Sequence, residues 1–281
     1  WNENAYSNTS FSISGQDAIA TFYENQSDTI SFRTNDQYKT LNTRQLNHIR
    51  FNDLVGGVFG FEIQNRNLDY DFLLNAVESK NNVSITNLSS FFTMQSILLN
   101  KALVSIGCRV NWNSYEKDIS IAPRINIDFS LNKFWGNLIF NSGRYFQNPP
   151  EKYLSVVNHN DLKSVNTFQH SMTFEKLITR STKFSISIYE KQYSNAPMME
   201  RNQMFVDPTF LLDELRTYKN IISNGKAKTN GIEILLEKKR AINFYGLIGG
   251  SIYNSTYNDQ QGVERSRNNN YEYLFNLVGG Y

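Results

Sequence analysis

Little in this chain can form a covalent or electrostatic scaffold. The single cysteine, Cys108, excludes a disulfide framework and any cysteine-based metal cluster, and its apolar strand neighbours read it as a small hydrophobe. The three histidines, His48, His159 and His170, have no metal-ligand spacing to one another or to a carboxylate. His159 with Asp161 reads as a solvated loop pair. Lys plus Arg number 28 against 26 Asp plus Glu, without a basic cluster, so nucleic acid is excluded as an electrostatic partner. No run of about 18 apolar residues is present to form a membrane helix, and the mean hydropathy is -0.48. A membrane β-barrel is compatible with that value, because half of each strand faces a polar interior. GxSxG, HExxH and phosphate-loop motifs are missing, so no enzymatic activity and no cofactor is expected. No basic-then-apolar leader precedes Trp1, and nothing follows Tyr281 to pair an exposed strand edge, so the expectation is a portion of a longer chain.

What the chain does have is aromatic side chains, at 14%, and alternation. From Ile119 to Leu131, Ile119, Ile121, Pro123, Ile125, Ile127, Phe129 and Leu131 share one face in a period-2 structure. Ser120, Ala122, Arg124, Asn126, Asp128 and Ser130 take the other. Unbroken alternation over that length exceeds the usual strand of about 5–6 residues and suits a strand tilted across a bilayer.

The pattern repeats. Val104 to Trp112, Phe134 to Phe140, Phe168 to Phe174, Phe184 to Ile188, Ile232 to Leu236, Ile242 to Ile252 and Tyr271 to Tyr281 each carry an apolar row. Tight turns at 99–102, 132–133, 179–182 and 238–241 alternate with polar stretches at 147–166, 194–229 and 254–270. In an antiparallel meander this sends every tight turn to one side and every long loop to the other, as in outer-membrane barrels but not in Greek-key sandwiches. The fold class expected is all-β: an antiparallel transmembrane β-barrel, with about thirteen strands in this chain. Before Leu88 the pattern is weaker. Ala18–Tyr23 and Thr29–Arg33 read as a hairpin, Thr34–Arg44 as a polar loop, and Val55–Ile63 as a strand that continues past a bulge and loops back through 64–84.

Five segments in order carry a family resemblance: Val104-Ser-Ile-Gly-Cys-Arg109, Ala122-Pro-Arg124, Gly143-Arg-Tyr-Phe-Gln-Asn-Pro-Pro150, Gly225-Lys-Ala-Lys-Thr-Asn-Gly-Ile-Glu233 and Ser251-Ile-Tyr-Asn-Ser-Thr-Tyr257. This series, within 88–281, resembles the barrel of TonB-dependent outer-membrane receptors, and the Asn-rich composition is similar to that of Bacteroidetes-type members. Cys108 stands where the family usually carries another apolar residue. The resemblance implies a Gram-negative outer-membrane location and a barrel that closes at about 22 strands around a plug. The plug domain, the TonB box and the C-terminal strands lie outside this chain, so residues 1–281 are expected to be part of one barrel domain. The implied partners are the TonB complex acting through the plug, outer-membrane lipid, and a scarce ligand such as a metal chelate, a cobalamin-like molecule or an oligosaccharide. A passive porin-like barrel and a soluble glycan-binding β protein are the alternatives.

In this reading Arg109, Arg124, Asn126, Asp128, Asn137, Asn141, Glu233 and Glu237 face the lumen. Candidate ligand contacts are the strand-top side chains Arg144, Tyr145, Tyr193, Tyr253 and Tyr257, chosen by position alone. Met198, Met199, Phe205 and Phe210–Leu212 would form a lid or short helix. Gly246, Gly249, Gly250, Gly279 and Gly280 read as strand glycines for curvature or close packing. His170 falls on an apolar row, which suits either the headgroup level or a place that another chain segment covers.

Overall fold

The computed structural model describes residues 4–23, 30–74, 77–132, 134–149, 151, 154, 162–199, 221–241, 244–259 and 261–281. They form one antiparallel sheet of 13 strands. In chain order these are β1 (Ala5–Tyr23), β2 (Ile30–Arg50), β3 (Val55–Leu74), β4 (Val77–Leu98), β5 (Ala102–Asn113), β6 (Ile119–Asn132) and β7 (Gly136–Gln147). They continue as β8 (Val165–Thr179), β9 (Thr182–Met199), β10 (Ile221–Ala241), β11 (Phe244–Asn258), β12 (Glu264–Ser266) and β13 (Tyr273–Gly280). Each strand from β1 to β11 pairs with the next, and β11 also pairs with β13 along the edge it offers to β12. The sheet does not close on itself, which makes it a section of a barrel.

One end carries the short connections, and local side-chain chemistry makes them. Leu99 and Asn100 both have φ of 53°, and Lys101 N donates to Leu98 O at 3.0 Å, as a twist-matched two-residue hairpin requires. Asn52 Oδ1 accepts from the backbone N–H groups of Leu54 and Val55, and Asn132 Oδ1 from those of Phe134 and Trp135. These asparagines replace a turn of backbone with a side chain.

Register aligns the apolar residues into rows across strands. Phe140, Met172, Ile188, Ile232, Ile252 and Tyr273 form one row, and Leu138, Phe174, Ile186, Ile234, Gly250 and Phe275 the next. Their side chains lie on the outward face without cover: Ile188 is 45% exposed, Ile232 47% and Ile234 47%. A contiguous apolar surface of this extent is incompatible with water and suited to lipid. The opposite face carries Arg109, Arg124, Asn126, Asp128, Asn141 and Glu233, as the alternation requires.

The first quarter of the chain corrects the sequence reading. Thr34–Arg44 is not a loop; it lies inside β2, paired along its length to β1 and β3. β3 carries no bulge, and its ladders to β2 and β4 run without a register shift to Leu74. The polar stretches are also shorter than expected, since β9 runs to Met199, β10 starts at Ile221 and β11 reaches Asn258. At the long-loop end only two residues separate β3 from β4, and five separate β5 from β6. There the strands themselves lengthen in place of the loops. Met198 belongs to β9, while Phe205, Phe210–Leu212 and His159 lie outside the described residues.

The apolar residues of β3 and β4 change faces above the lipid rows. Leu68 is 0% exposed, Tyr70 2% and Ile85 2%, all on the inward side. Outward at that level are Arg33, Gln37, Asp69 and Lys80, which read as standing in water. Burial, followed by the carboxylates of Asp36 and Glu151, pushes the neighbouring Tyr38 phenol above its ordinary value, so it stays a neutral hydroxyl.

Candidate functional site

The inward face of β7–β11 is a ladder of tyrosines separated by small residues. Tyr145, Thr167, Tyr193, Ala227 and Tyr257 form one register row. The row below is Gly143, Gln169, Lys191, Thr229 and Ser255, and the next is Asn141, Ser171, Tyr189, Gly231 and Tyr253. Large side chains therefore face small ones across strands, which lets the rings lie along the wall.

Two glycines of the family-like segments explain themselves here. A Cβ on Gly143 would stand 2.9 Å from Cγ of Arg124, whose guanidinium lies 4.3 Å from the Tyr145 ring centroid. One on Gly231 would stand 2.7 Å from the Tyr253 Cβ and 2.8 Å from the Tyr189 hydroxyl. Glycine at both positions keeps the wall open for the neighbouring side chain.

Cations complete the ladder. Lys191 Nζ lies 5.4 Å from the Tyr189 ring centroid, and the Arg267 guanidinium 5.4 Å from that of Tyr193. Tyr193 packs with Ala196, Met198, Ala227 and Tyr257. Arg267 belongs to a segment between β12 and β13 that folds over this wall; the Tyr253 hydroxyl donates to Asn269 O at 2.8 Å. The β11–β12 turn that leads into it is held by Asp259, whose Oδ1 accepts from Gln261 N and Val263 N while Arg265 Nε donates to its Oδ2 at 2.8 Å. Burial alone would raise the Asp259 carboxyl. The Arg265 guanidinium and the two backbone N–H groups outweigh it and hold the group below the usual carboxylate range. A depressed carboxyl stabilises its partners above its unfolded pKa and releases them as pH falls through the folded value. Hydrogen-exchange protection at 261–263 is therefore expected to persist at neutral pH and to vanish only below about pH 4. In Asp259→Ala it is expected to be low at every pH.

A cleft of about 540 Å³ opens on the inner face of β3–β7. Arg109 crosses its floor: Nη2 donates to Glu62 Oε2 at 3.0 Å and Ser89 Oγ at 2.8 Å, and Nε to Asn111 Oδ1 at 2.7 Å. Phe91 lies under both Arg109 and Arg44. The described residues between β7 and β8 reach inward over the cleft instead of standing in solvent. Asn148 Nδ2 donates to Asn87 Oδ1 at 2.6 Å, Ser164 donates through N and Oγ to Glu116 Oε2, and Arg66 pairs with Glu151 at 2.9 Å. Lys163 N also donates to Ser223 Oγ, tying the same strap to β10.

Of the five predicted side chains, Tyr145, Tyr193, Tyr253 and Tyr257 share this inner wall. Arg144 does not. It points outward, with Nε donating to Asn166 Oδ1 at 2.8 Å and its guanidinium over Phe146. Counting by two from Phe140 would have placed it there. His170 lies on the outward face, edge-on to Phe168 and opposite Glu190. The sequence reading missed Tyr189, Lys191 and Arg267. The first two were available from the parity of Tyr193, whereas Arg267 is brought in by a loop with no periodic signal.

These features define the fold class first: an open section of a large antiparallel barrel, apolar outside and polar inside. Among solved structures, the chain superposes on the ferripyoverdine receptor of the outer membrane of Pseudomonas aeruginosa with a TM-score of 0.71 and 14% identity, covering 98% of this chain and 41% of that one. It superposes on the alcaligin outer-membrane receptor of Bordetella pertussis at 0.67, with 10% identity, 96% and 47% covered. On the ferric-catecholate import receptor of Escherichia coli K12 the score is 0.69, with 10% identity, 99% and 49% covered. No family model and no curated protein matches the sequence. The chain thus has the fold of outer-membrane receptor barrels, the architecture that the resemblance to TonB-dependent receptors implies, and it spans less than half the length of these receptors.

Proposed function

We propose that this chain is the barrel portion of a TonB-dependent transporter in a Gram-negative outer membrane, importing a scarce ligand without changing it covalently. The inner wall carries the reading. Tyrosine rings interleaved with Lys191, Arg267 and Arg124 complement a planar, anionic ligand such as a metal chelate, and two of the superposed receptors are named for ferripyoverdine and ferric catecholate. The TonB complex, acting through a plug, would supply the energy.

The test is uptake of radioactive iron, given as a ferric catecholate, by cells expressing the receptor. Uptake is expected to require an intact TonB complex, and Tyr193→Ala with Arg267→Ala should raise the half-saturating concentration at least about tenfold, as expected for two lost ring and cation contacts. Uptake that persists without TonB would instead make the barrel a passive pore.

A further inference from the structure

The outward arginine has company. On the face that carries the apolar rows, one register row places Arg144, Phe168, Gln192, Lys228 and Thr256 side by side, two steps beyond Phe140, Met172, Ile188 and Ile232. Lys226 follows on the same face of β10, opposite Asn258. All three cations are exposed. By strand spacing, Arg144 and Lys228 stand about 14 Å apart across three strands, and Lys226 about 7 Å along the strand from Lys228.

Their pairing leaves charge to spare. Arg144 spends only its Nε, on Asn166, and its guanidinium carbon stands 4.7 Å from the Phe146 ring centroid. Lys228 pairs with Glu190 at 2.8 Å, and Lys226 pairs with no carboxylate among the described residues. Among the described residues, the other carboxylate of this upper outward patch is Glu264, two strands from Lys226. On β1–β4 the corresponding level mixes Asp17, Asp69 and Asp71 with Arg33, Lys39 and Lys80, so the positive patch is confined to β7–β10. Phe146 and Phe168 mark the level as the edge of the apolar belt, where aromatic rings meet headgroups.

We propose that Arg144, Lys226 and Lys228 bind the phosphates of an outer-leaflet glycolipid whose acyl chains lie on the apolar rows beneath. The proposal rests on the outer-membrane reading above. The partner follows from continuity and charge: the same molecule that meets Ile188 and Ile232 with its chains must present its headgroup at this row. An anionic phosphate is what a fixed guanidinium and two extended ammonium groups complement. Glu190 works against the site by holding Lys228.

The experiment is native mass spectrometry of the full receptor, purified from outer membranes and titrated with lipid A carrying its phosphates or with the same lipid after phosphatase treatment. The phosphorylated lipid is expected to bind preferentially. The combined R144Q, K226Q and K228Q variant should lose at least about tenfold in affinity. E190Q, which frees Lys228, should bind more tightly than the unaltered receptor. A β-sheet circular dichroism spectrum unchanged in the variants establishes that they fold. Equal binding of the two lipids, or unchanged binding by the triple variant, would overturn the proposal. If iron uptake by the same cells still requires TonB, the proposed function stands and only the phosphate site falls; if uptake is independent of TonB as well, both fall together.

Discussion

Ile234→Arg should destabilise the bilayer-embedded receptor by about 2–4 kcal/mol, the range for a basic side chain near the midplane of a barrel's lipid face. Ile234 lies in the central apolar row, between Ile186 and Gly250, and is 47% exposed. In water that exposure would make the substitution nearly neutral or favourable. In lipid the guanidinium has to reach a headgroup along a long side chain or stay in hydrocarbon. Ser251→Arg is the matched control. Ser251 stands on the inner face, cross-strand from Glu233, so the same charge meets a carboxylate and water and should change stability by less than about 1 kcal/mol. Denaturant unfolding of both variants in lipid vesicles checks the pair. Equal effects would mean that the two faces have been assigned to the wrong solvents.

That two-solvent geometry also explains what was legible in the sequence. From β5 to β11 the outward side meets lipid and the inward side meets water, so alternation was clean and the strands could be placed from Val104, Ile121, Ile188 and Ile232. In β2 the outward residues Arg33, Asn35, Gln37 and Lys39 stand beyond the lipid, and both faces are polar or mixed. Period-2 contrast disappears there although the hydrogen-bond ladder does not, and Thr34–Arg44 read as a loop. The reversed parity of Tyr70 suggested a bulge for a related reason. Above the lipid rows the inward side is the covered one, so Leu68, Tyr70 and Ile85 turn in while Asp69 turns out. No residue is inserted; the environment changes along a straight strand.

The candidate site was legible in proportion to its periodicity. Tyr145, Tyr193, Tyr253 and Tyr257 converge because their strands are in register, and chain position alone had suggested them. Arg144 was misplaced because strand-top position was weighed and parity was not. The strap contacts of Glu116, Asn148 and Ser164, and the approach of Arg267 to Tyr193, depend on loop paths that no local pattern encodes. Asparagines that read only as compositional bias turn out to divide into turn-formers, Asn52 and Asn132, and inner-wall partners such as Asn126 and Asn141, joined at 2.6 Å.

Arg109→Ala should destabilise the receptor by about 1–3 kcal/mol, because one guanidinium serves Glu62, Ser89 and Asn111 and its loss leaves a carboxylate without a counter-ion. The side chains of Arg109 and Glu62 are 30% and 19% exposed, so water offsets part of the loss and the effect stays below that of a buried pair. Glu62→Gln should cost less, since the amide oxygen still accepts from Arg109. In a double-mutant cycle of Arg109→Ala with Glu62→Ala the two changes should fall short of additivity by about 1 kcal/mol at low salt. That coupling should shrink at 1 M salt, where the screening length falls to about 3 Å. A coupling of zero at both salt concentrations would mean that water separates the pair in the working protein. A coupling that ignores salt would mean that the cleft floor is drier than its exposure suggests. The intermediate, salt-sensitive outcome is expected because the network ties β3, β4 and β5 together on a wetted wall. There it must hold the strands rigid while leaving the roughly 540 Å³ above them open to a solute.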